Sequence, residues 1–181
     1  MSKAALFLLL ALAVRAQDKP LGLGRPATPA EIAEAAITVF PDGRGLPPGS
    51  GTAARGRTVY QAQCASCHND NGEGRDAQYP PLKGGIGSLA TRSPRKTVGS
   101  YWPYATTVFD YIRRSMPFDH PRSLTADEVY SVTAFVLFLN GIVAETAEMN
   151  AKTLPAVKMP NRHGFIRHDE SPVSRARRGT K

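Results

Sequence analysis

Between Leu124 and Gly141 the apolar residues Val129, Val132, Phe135, Val136 and Leu139 recur at helical spacing. Thr125-Ala126-Asp127-Glu128 ahead of them forms a capping box, and Asn140-Gly141 behind them is a stop signal, so the pattern predicts a helix. Tyr130, Phe135 and Phe138 on it read as core residues. A second helix is predicted over Tyr104 to Ser115, with Phe109 and Ile112 inward and Arg113 and Arg114 where cations suit a helix C-terminus. A third, Ala53 to Cys64, is less apolar. Its Gly56 and Tyr60 lie four apart on one face: the glycine admits a close helix, and the tyrosine packs beside the contact. The helix after Leu124 is the expected partner. Upstream, Thr28-Pro29-Ala30-Glu31 signals a short helix that Pro41-Asp42-Gly43 and Leu46-Pro47-Pro48-Gly49 prevent from continuing. Downstream of Gly141 no helical period is sustained. The pattern divides the chain into an N-terminal arm (17–51), a helical domain (52–141) and a C-terminal extension (142–181). The extension ends in a basic tail with Arg175, Arg177, Arg178 and Lys181.

The helical domain contains the pentapeptide Cys64-Ala65-Ser66-Cys67-His68. Two thiols three positions apart can each add across a vinyl group of one porphyrin, and the histidine that follows is carried beneath the iron. Attachment of a c-type haem therefore predicts Cys64 and Cys67 as thioether partners and His68 as the proximal iron ligand. A structural zinc site wants four ligands, and no second CxxC or spaced His pair supplies them. A thioredoxin-like dithiol wants a βαβ setting that the helical pattern around the motif does not provide.

Export fits this chemistry. Ser2-Lys3 gives a positive start, Ala4 to Val14 is an apolar run of 11 residues, and Val14-Arg15-Ala16 offers small residues at a cleavage position. Residues 1–16 are read as a signal peptide and the periplasm as the destination. The run is too short for a hydrocarbon core of about 30 Å. Membrane contact is expected at most through an uncleaved N-terminus or the basic tail. The thioethers would consume both cysteines of the chain and leave none for a disulfide. With 15 prolines and 16 glycines in 181 residues, much of the chain is turn and irregular structure around one domain. The formal charge is +8, from 23 basic and 15 acidic residues. In an exported haem protein that balance points away from nucleic acid and toward steering of an acidic redox partner.

The layout resembles class I cytochrome c, an all-α fold in which the helix before CxxCH crosses a C-terminal helix and an intervening loop supplies methionine to the iron. The resemblance implies an all-α, class I cytochrome c-like domain with irregular N- and C-terminal extensions. It implies Met116 as the distal ligand, because Met116-Pro117 lies 48 residues after His68 and eight before Leu124. A thioether suits low-spin iron and raises its potential relative to bis-His ligation. Met159-Pro160 repeats the dipeptide beyond the closing helix and is the rival; Met149, His120, His163 and His168 are weaker candidates. A family proline that accepts the proximal Nδ1 proton through its backbone carbonyl corresponds to Pro80-Pro81-Leu82, with Pro81 preferred. Tyr101 and Trp102 are expected at the haem periphery, where their polar tips can reach a propionate. Arg113 and Arg114 offer a second propionate contact or plain complements to a helix end.

Longer words narrow the resemblance. Gly84-Gly85-Ile86-Gly87-Ser88-Leu89, Thr97 through Thr107, Phe109 through Arg114, Met116-Pro117-Phe118, Met159-Pro160-Asn161-Arg162 and Gly164-Phe165 look like the cytochrome c subunit of sulfite or sulfane dehydrogenases of the bacterial sulfur-oxidising (Sox) system. That resemblance implies a partner subunit with a molybdenum cofactor and a downstream cytochrome or oxidase as electron acceptor. Some members carry a second haem domain; this sequence has one CxxCH and resembles the single-haem form. Three readings stand at this level: an electron-transfer subunit, not an enzyme by itself, of such a dehydrogenase; a free periplasmic carrier; and a haem sensor or catalytic haem protein with an open distal site.

Overall fold

Four threonines start helices by the same device. Their hydroxyls accept the N–H of the residue three positions on: Thr28 from Glu31, Thr52 from Arg55, Thr97 from Ser100 and Thr125 from Glu128. Each satisfies one of the donors that a helix start leaves unpaired. The computed structural model describes residues 22–76 and 78–166, so the expected signal segment and the basic tail lie outside the described residues. It divides into two units, one ending at Ile37 and the other starting at Thr38.

In the first unit, helix α1 (Pro29–Ala35) has a complete capping box and no buried residue. Arg25 donates to both carboxylate oxygens of Glu31, at 2.8 and 2.5 Å. That guanidinium, then the Thr28 N–H, holds the Glu31 carboxyl down at about 2.

The second unit holds helices α2 (Ala53–Gln63), α3 (Ala65–His68), α4 (Val98–Tyr101), α5 (Ala105–Ser115) and α6 (Ala126–Leu139). Helix α2 crosses α6 at Gly56, as the sequence anticipates. A Cβ there would stand 1.9 Å from the Ser131 carbonyl oxygen and 2.9 Å from the Phe135 Cβ. Tyr60, one turn on, is fully buried with its ring centroid 5.0 Å from that of Phe135. On the other side of α6, Phe109 of α5 meets Tyr130 at 4.5 Å. Helix α6 is buried without interruption from Val129 to Leu137, wider than the expected stripe. Its two enclosed hydroxyls turn back on their own helix: Ser131 donates to the Asp127 carbonyl and Thr133 to the Val129 carbonyl, each at 2.7 Å.

The segments flanking the helices also fasten to them. Asp110 accepts the Val39 N–H at 2.7 Å, the Tyr130 hydroxyl donates to the Pro47 carbonyl at 2.9 Å, and Asp127 accepts the Ser50 N–H at 2.8 Å. Strand β1 (Ser50–Gly51) pairs antiparallel with β2 (Met149–Asn150), opposing Ser50 to Asn150 and Gly51 to Met149. Past α6, Met149, Leu154 and Met159 are 4%, 0% and 3% exposed. They enter the core as separate plugs, which is why the segment shows no helical period and yet packs. Among the described residues no helix is long and apolar enough to cross a membrane.

Candidate functional site: a Cys-x-x-Cys-His turn between two crossed helices

Helix α2 ends at Cys64, whose N–H still bonds the Tyr60 carbonyl at 2.8 Å. The Cys64 carbonyl then starts a new turn by accepting from Cys67 at 3.2 Å and from His68 at 3.0 Å. One turn of helix, α3, thus carries both thiols and the imidazole, and i,i+3 spacing puts the sulfurs on one side of it. The cysteines are free, not joined in a disulfide, and both are half-buried. Burial, then the neighbouring Cys67, pushes the Cys64 thiol up to about 11.

The turn after His68 is set by residues that tolerate left-handed backbone. Asn69 sits at φ +60 and its amide donates to the Gly74 carbonyl at 2.6 Å. Gly74, at φ +73, returns its N–H to the His68 carbonyl at 3.0 Å. A Cβ on Gly74 would stand 2.6 Å from the Pro81 nitrogen and the Tyr79 carbonyl oxygen, so only glycine fits against that backbone. The buried Tyr60 hydroxyl donates to the Asn69 carbonyl at 2.9 Å, which ties this turn to the helix crossing.

The His68 Nδ1 lies 3.1 Å from the carbonyl oxygen of Pro80. This corrects the preference for Pro81 as the source of that acceptor. In an extended Pro-Pro step successive carbonyls point in different directions, so one faces the imidazole and the next does not. With Nδ1 donating, Nε2 is the free acceptor nitrogen, and among the described residues it has no hydrogen-bond partner.

Met116 follows α5 directly. Its N–H closes the helix on Ile112 at 3.0 Å, and its side chain is half-buried against the core. Met159 and Met149 are enclosed in the core itself. His120 is exposed beside Asp119 at 3.2 Å, His163 is exposed, and His168 lies outside the described residues. The Tyr101 ring packs edge-on against Phe165 at 5.1 Å, with the Lys96 ammonium 5.2 Å from its centroid. Trp102 packs against the core and meets Tyr111 at 5.6 Å. Arg114 is committed to Asp110 at 2.8 Å and Thr38 at 2.9 Å. Sequence reasoning missed Asn140 as more than a helix stop: its amide donates to the Leu82 carbonyl at 3.1 Å and accepts the Gly84 N–H at 3.1 Å. The only signal was a polar residue at the end of an otherwise apolar helix.

Among the described residues there is no cluster of three or more His, Cys, Asp or Glu placed to hold a metal ion. The donor set instead fits haem c: two thiols a helical turn apart, and an imidazole whose Nδ1 is engaged and whose Nε2 is open. The cytochrome c family model matches residues 53–140. Over 90% of its length the chain is similar to a chain in the crystal structure of the sulfane dehydrogenase SoxCD from Paracoccus pantotrophus, at 44% identity and a TM-score of 0.79, and it covers 79% of that chain. It is also 30% identical over 94 residues to a thiosulfate dehydrogenase from Stutzerimonas stutzeri (strain A1501), a match that spans 50% of this chain and 28% of that relative. The chain belongs to the cytochrome c family. Its cofactor is haem c, and its domain is related to a chain of the sulfane dehydrogenase.

Proposed function

We propose that this protein is the electron-transfer subunit of a molybdenum-containing sulfane or sulfite dehydrogenase of the periplasm. In this reading Cys64 and Cys67 bind haem c through thioethers, and His68 and Met116 are its axial ligands. Pro81, Tyr101 and Trp102 line its surroundings. When bound, the group supplies a single ferric/ferrous couple, so a two-electron oxidation at the partner passes through this chain in two single-electron steps. The residues orient the ligands, exclude water and present a docking face. The Pro80 carbonyl holds the imidazole tautomer, and Met116 closes the distal side to gas or peroxide.

The observation that carries the reading is the reach of the similarity. The general family model covers 53–140, whereas the likeness to the dehydrogenase chain extends over 90% of the molecule. The flanking segments are therefore shared with a protein that works in a dehydrogenase. Charge supports a partner too. No Asp or Glu lies between Asp76 and Asp110 or between Glu148 and Asp169. Among the described residues Arg92, Arg95, Lys96, Lys158 and Arg162 form no ion pair. Lys96, Tyr101 and Phe165 lie together, and Phe165 is 51% exposed, which suits an acidic surface with an apolar centre.

The test is co-expression with the cognate molybdenum subunit, isolation of the complex, and stopped-flow recording of haem reduction on adding sulfite or a sulfur-loaded carrier protein. Reduction that slows with rising ionic strength during assembly is expected. An intact complex with no haem reduction by any such substrate sinks the reading in favour of a free carrier.

A further inference from the structure

Asn140 sits where α6 ends, and every polar atom of its amide is used across to another element or along its own helix. Nδ2 donates to the Leu82 carbonyl at 3.1 Å and to the Val136 carbonyl at 2.9 Å, while Oδ1 accepts the Gly84 N–H at 3.1 Å. A flipped amide would set its NH2 against an N–H and its oxygen against two carbonyls, so the orientation is fixed by its partners. Gly99 of α4 closes the remaining side: a Cβ there would stand 2.2 Å from Oδ1 and 2.7 Å from Cγ.

What Asn140 grips is the end of the Pro80-Pro81 segment. Leu82 and Gly84 are held from three further directions: the Leu82 N–H by Gly72 at 2.9 Å, the Leu82 carbonyl by the Val98 N–H at 3.2 Å, and the Gly84 carbonyl by the Thr97 hydroxyl at 2.6 Å. The Pro81 ring locks φ between this clamp and Pro80, so displacement at Leu82 passes to the Pro80 carbonyl with little slack. The other partner of that carbonyl, His68, is positioned through α2, which crosses the same helix α6 at Gly56. Both ends of the His68–Pro80 bond are thus referenced to α6, one through Gly56 and Tyr60 and one through Asn140.

We infer that Asn140 is a positioning residue that sets the strength of the His68 Nδ1–H···O=C Pro80 hydrogen bond and, through it, the basicity of the imidazole. This rests on the proposed role of His68 as proximal ligand. A strong bond at Nδ1 raises the electron-donating power of Nε2 and favours the ferric form. Loosening the clamp weakens the bond and raises the midpoint potential.

The test uses the haem-loaded full chain and two readouts, the midpoint potential and the NMR exchange rate of the His68 Nδ1 proton. Asn140→Leu should raise the potential and speed exchange on the order of ten-fold, the protection of one hydrogen bond. Asn140→Asp keeps the acceptor for Gly84 but sets a carboxylate oxygen against the Leu82 and Val136 carbonyls, so it should speed exchange at least as much as Asn140→Leu. Gly99→Ala presses on the amide while leaving Asn140 in place, and should move both readouts the same way even if Asn140→Leu does not fold. Thr133→Val, which removes a buried hydroxyl bonded only within α6, should lower stability and move neither readout. Equal shifts in Thr133→Val, or Asn140 and Gly99 variants with unchanged potential and exchange, would overturn the inference alone. A His68→Ala protein that kept the native low-spin spectrum would instead overturn the ligation reading beneath it.

Discussion

From Cys64 to Gly84 the chain is fastened atom by atom to other elements, whereas from Met116 to Leu124 it is fastened mainly to itself. The first stretch is bonded to α2 through Tyr60, to α4 through Thr97 and Val98, and to α6 through Asn140. In the second, the backbone bonds run from Met116 to Ile112, His120 to Pro117 and Ser123 to His120, and Phe118 stands 86% exposed. The two candidate axial ligands therefore sit on supports of different stiffness. A proximal imidazole must keep its tautomer and orientation, which takes several fixed bonds. A neutral thioether on an unbranched chain needs no hydrogen bond and adapts by rotating its side chain. Under the proposed ligation, the proximal side is held by many fixed bonds and the distal side by few.

The largest expected effect comes from removing the covalent anchor. The double substitution Cys64→Ser and Cys67→Ser should abolish haem that survives denaturing extraction, read as loss of haem stain on a denaturing gel. Retained covalent haem would show that attachment does not use these thiols.

Next comes the helix crossing that supports the proximal side. Gly56→Ala drives a methyl into the Ser131 carbonyl and should destabilise by about 1–3 kcal/mol or more, measured by denaturant unfolding of the haem-loaded protein. A change below about 0.5 kcal/mol would mean that the crossing opens easily and that the proximal support is softer than described.

On the distal side, Phe118→Ser should change stability by no more than about 0.5 kcal/mol, because the ring has little to lose. A larger loss would place Phe118 in a packed environment and erase the contrast between the two stretches.

The smallest effect concerns pH. Lys83 bonds Glu73 at 2.8 Å beside the Gly72 turn and holds its carboxyl below the ordinary value. A depressed carboxylate contributes stability that is present above its unfolded value and is lost as pH falls through the folded one. Glu73→Gln should therefore flatten slightly the fall of thermal midpoint between about pH 5 and about pH 3. A steeper acid limb in the variant would contradict the sign.

The parts legible in the sequence were those that rest on local signals. Caps at Thr28 and Thr125, the periodicity of α5 and α6, and the small residue Gly56 four before Tyr60 all appear where the residues suggest. Helix α4 escaped notice because its box pairs Thr97 with Ser100 over a single turn. The β1–β2 pair escaped because two residues carry no alternation to read. The carbonyl that meets His68 was assigned one residue late, since two adjacent prolines are equivalent in sequence and only the path of the backbone separates them. Asn140 looked like a helix stop because its partners, Leu82 and Gly84, lie more than 50 residues away in the chain. Met149, Leu154 and Met159 gave no pattern because each fills a separate gap.

In the proposed function one methionine, Met116, serves the iron, and the other, Met159, serves the core. This division is tested most directly by recording the visible and far-red spectrum and the unfolding midpoint of Met116→Ala and Met159→Ala side by side. Met116→Ala should lose the sulfur-to-iron charge-transfer band and become open to exogenous ligands. Met159→Ala should keep that band and lose about 2–5 kcal/mol of stability, as expected for truncating an enclosed methionine. Loss of the band in Met159→Ala, with the band intact in Met116→Ala, would contradict the assignment of both residues.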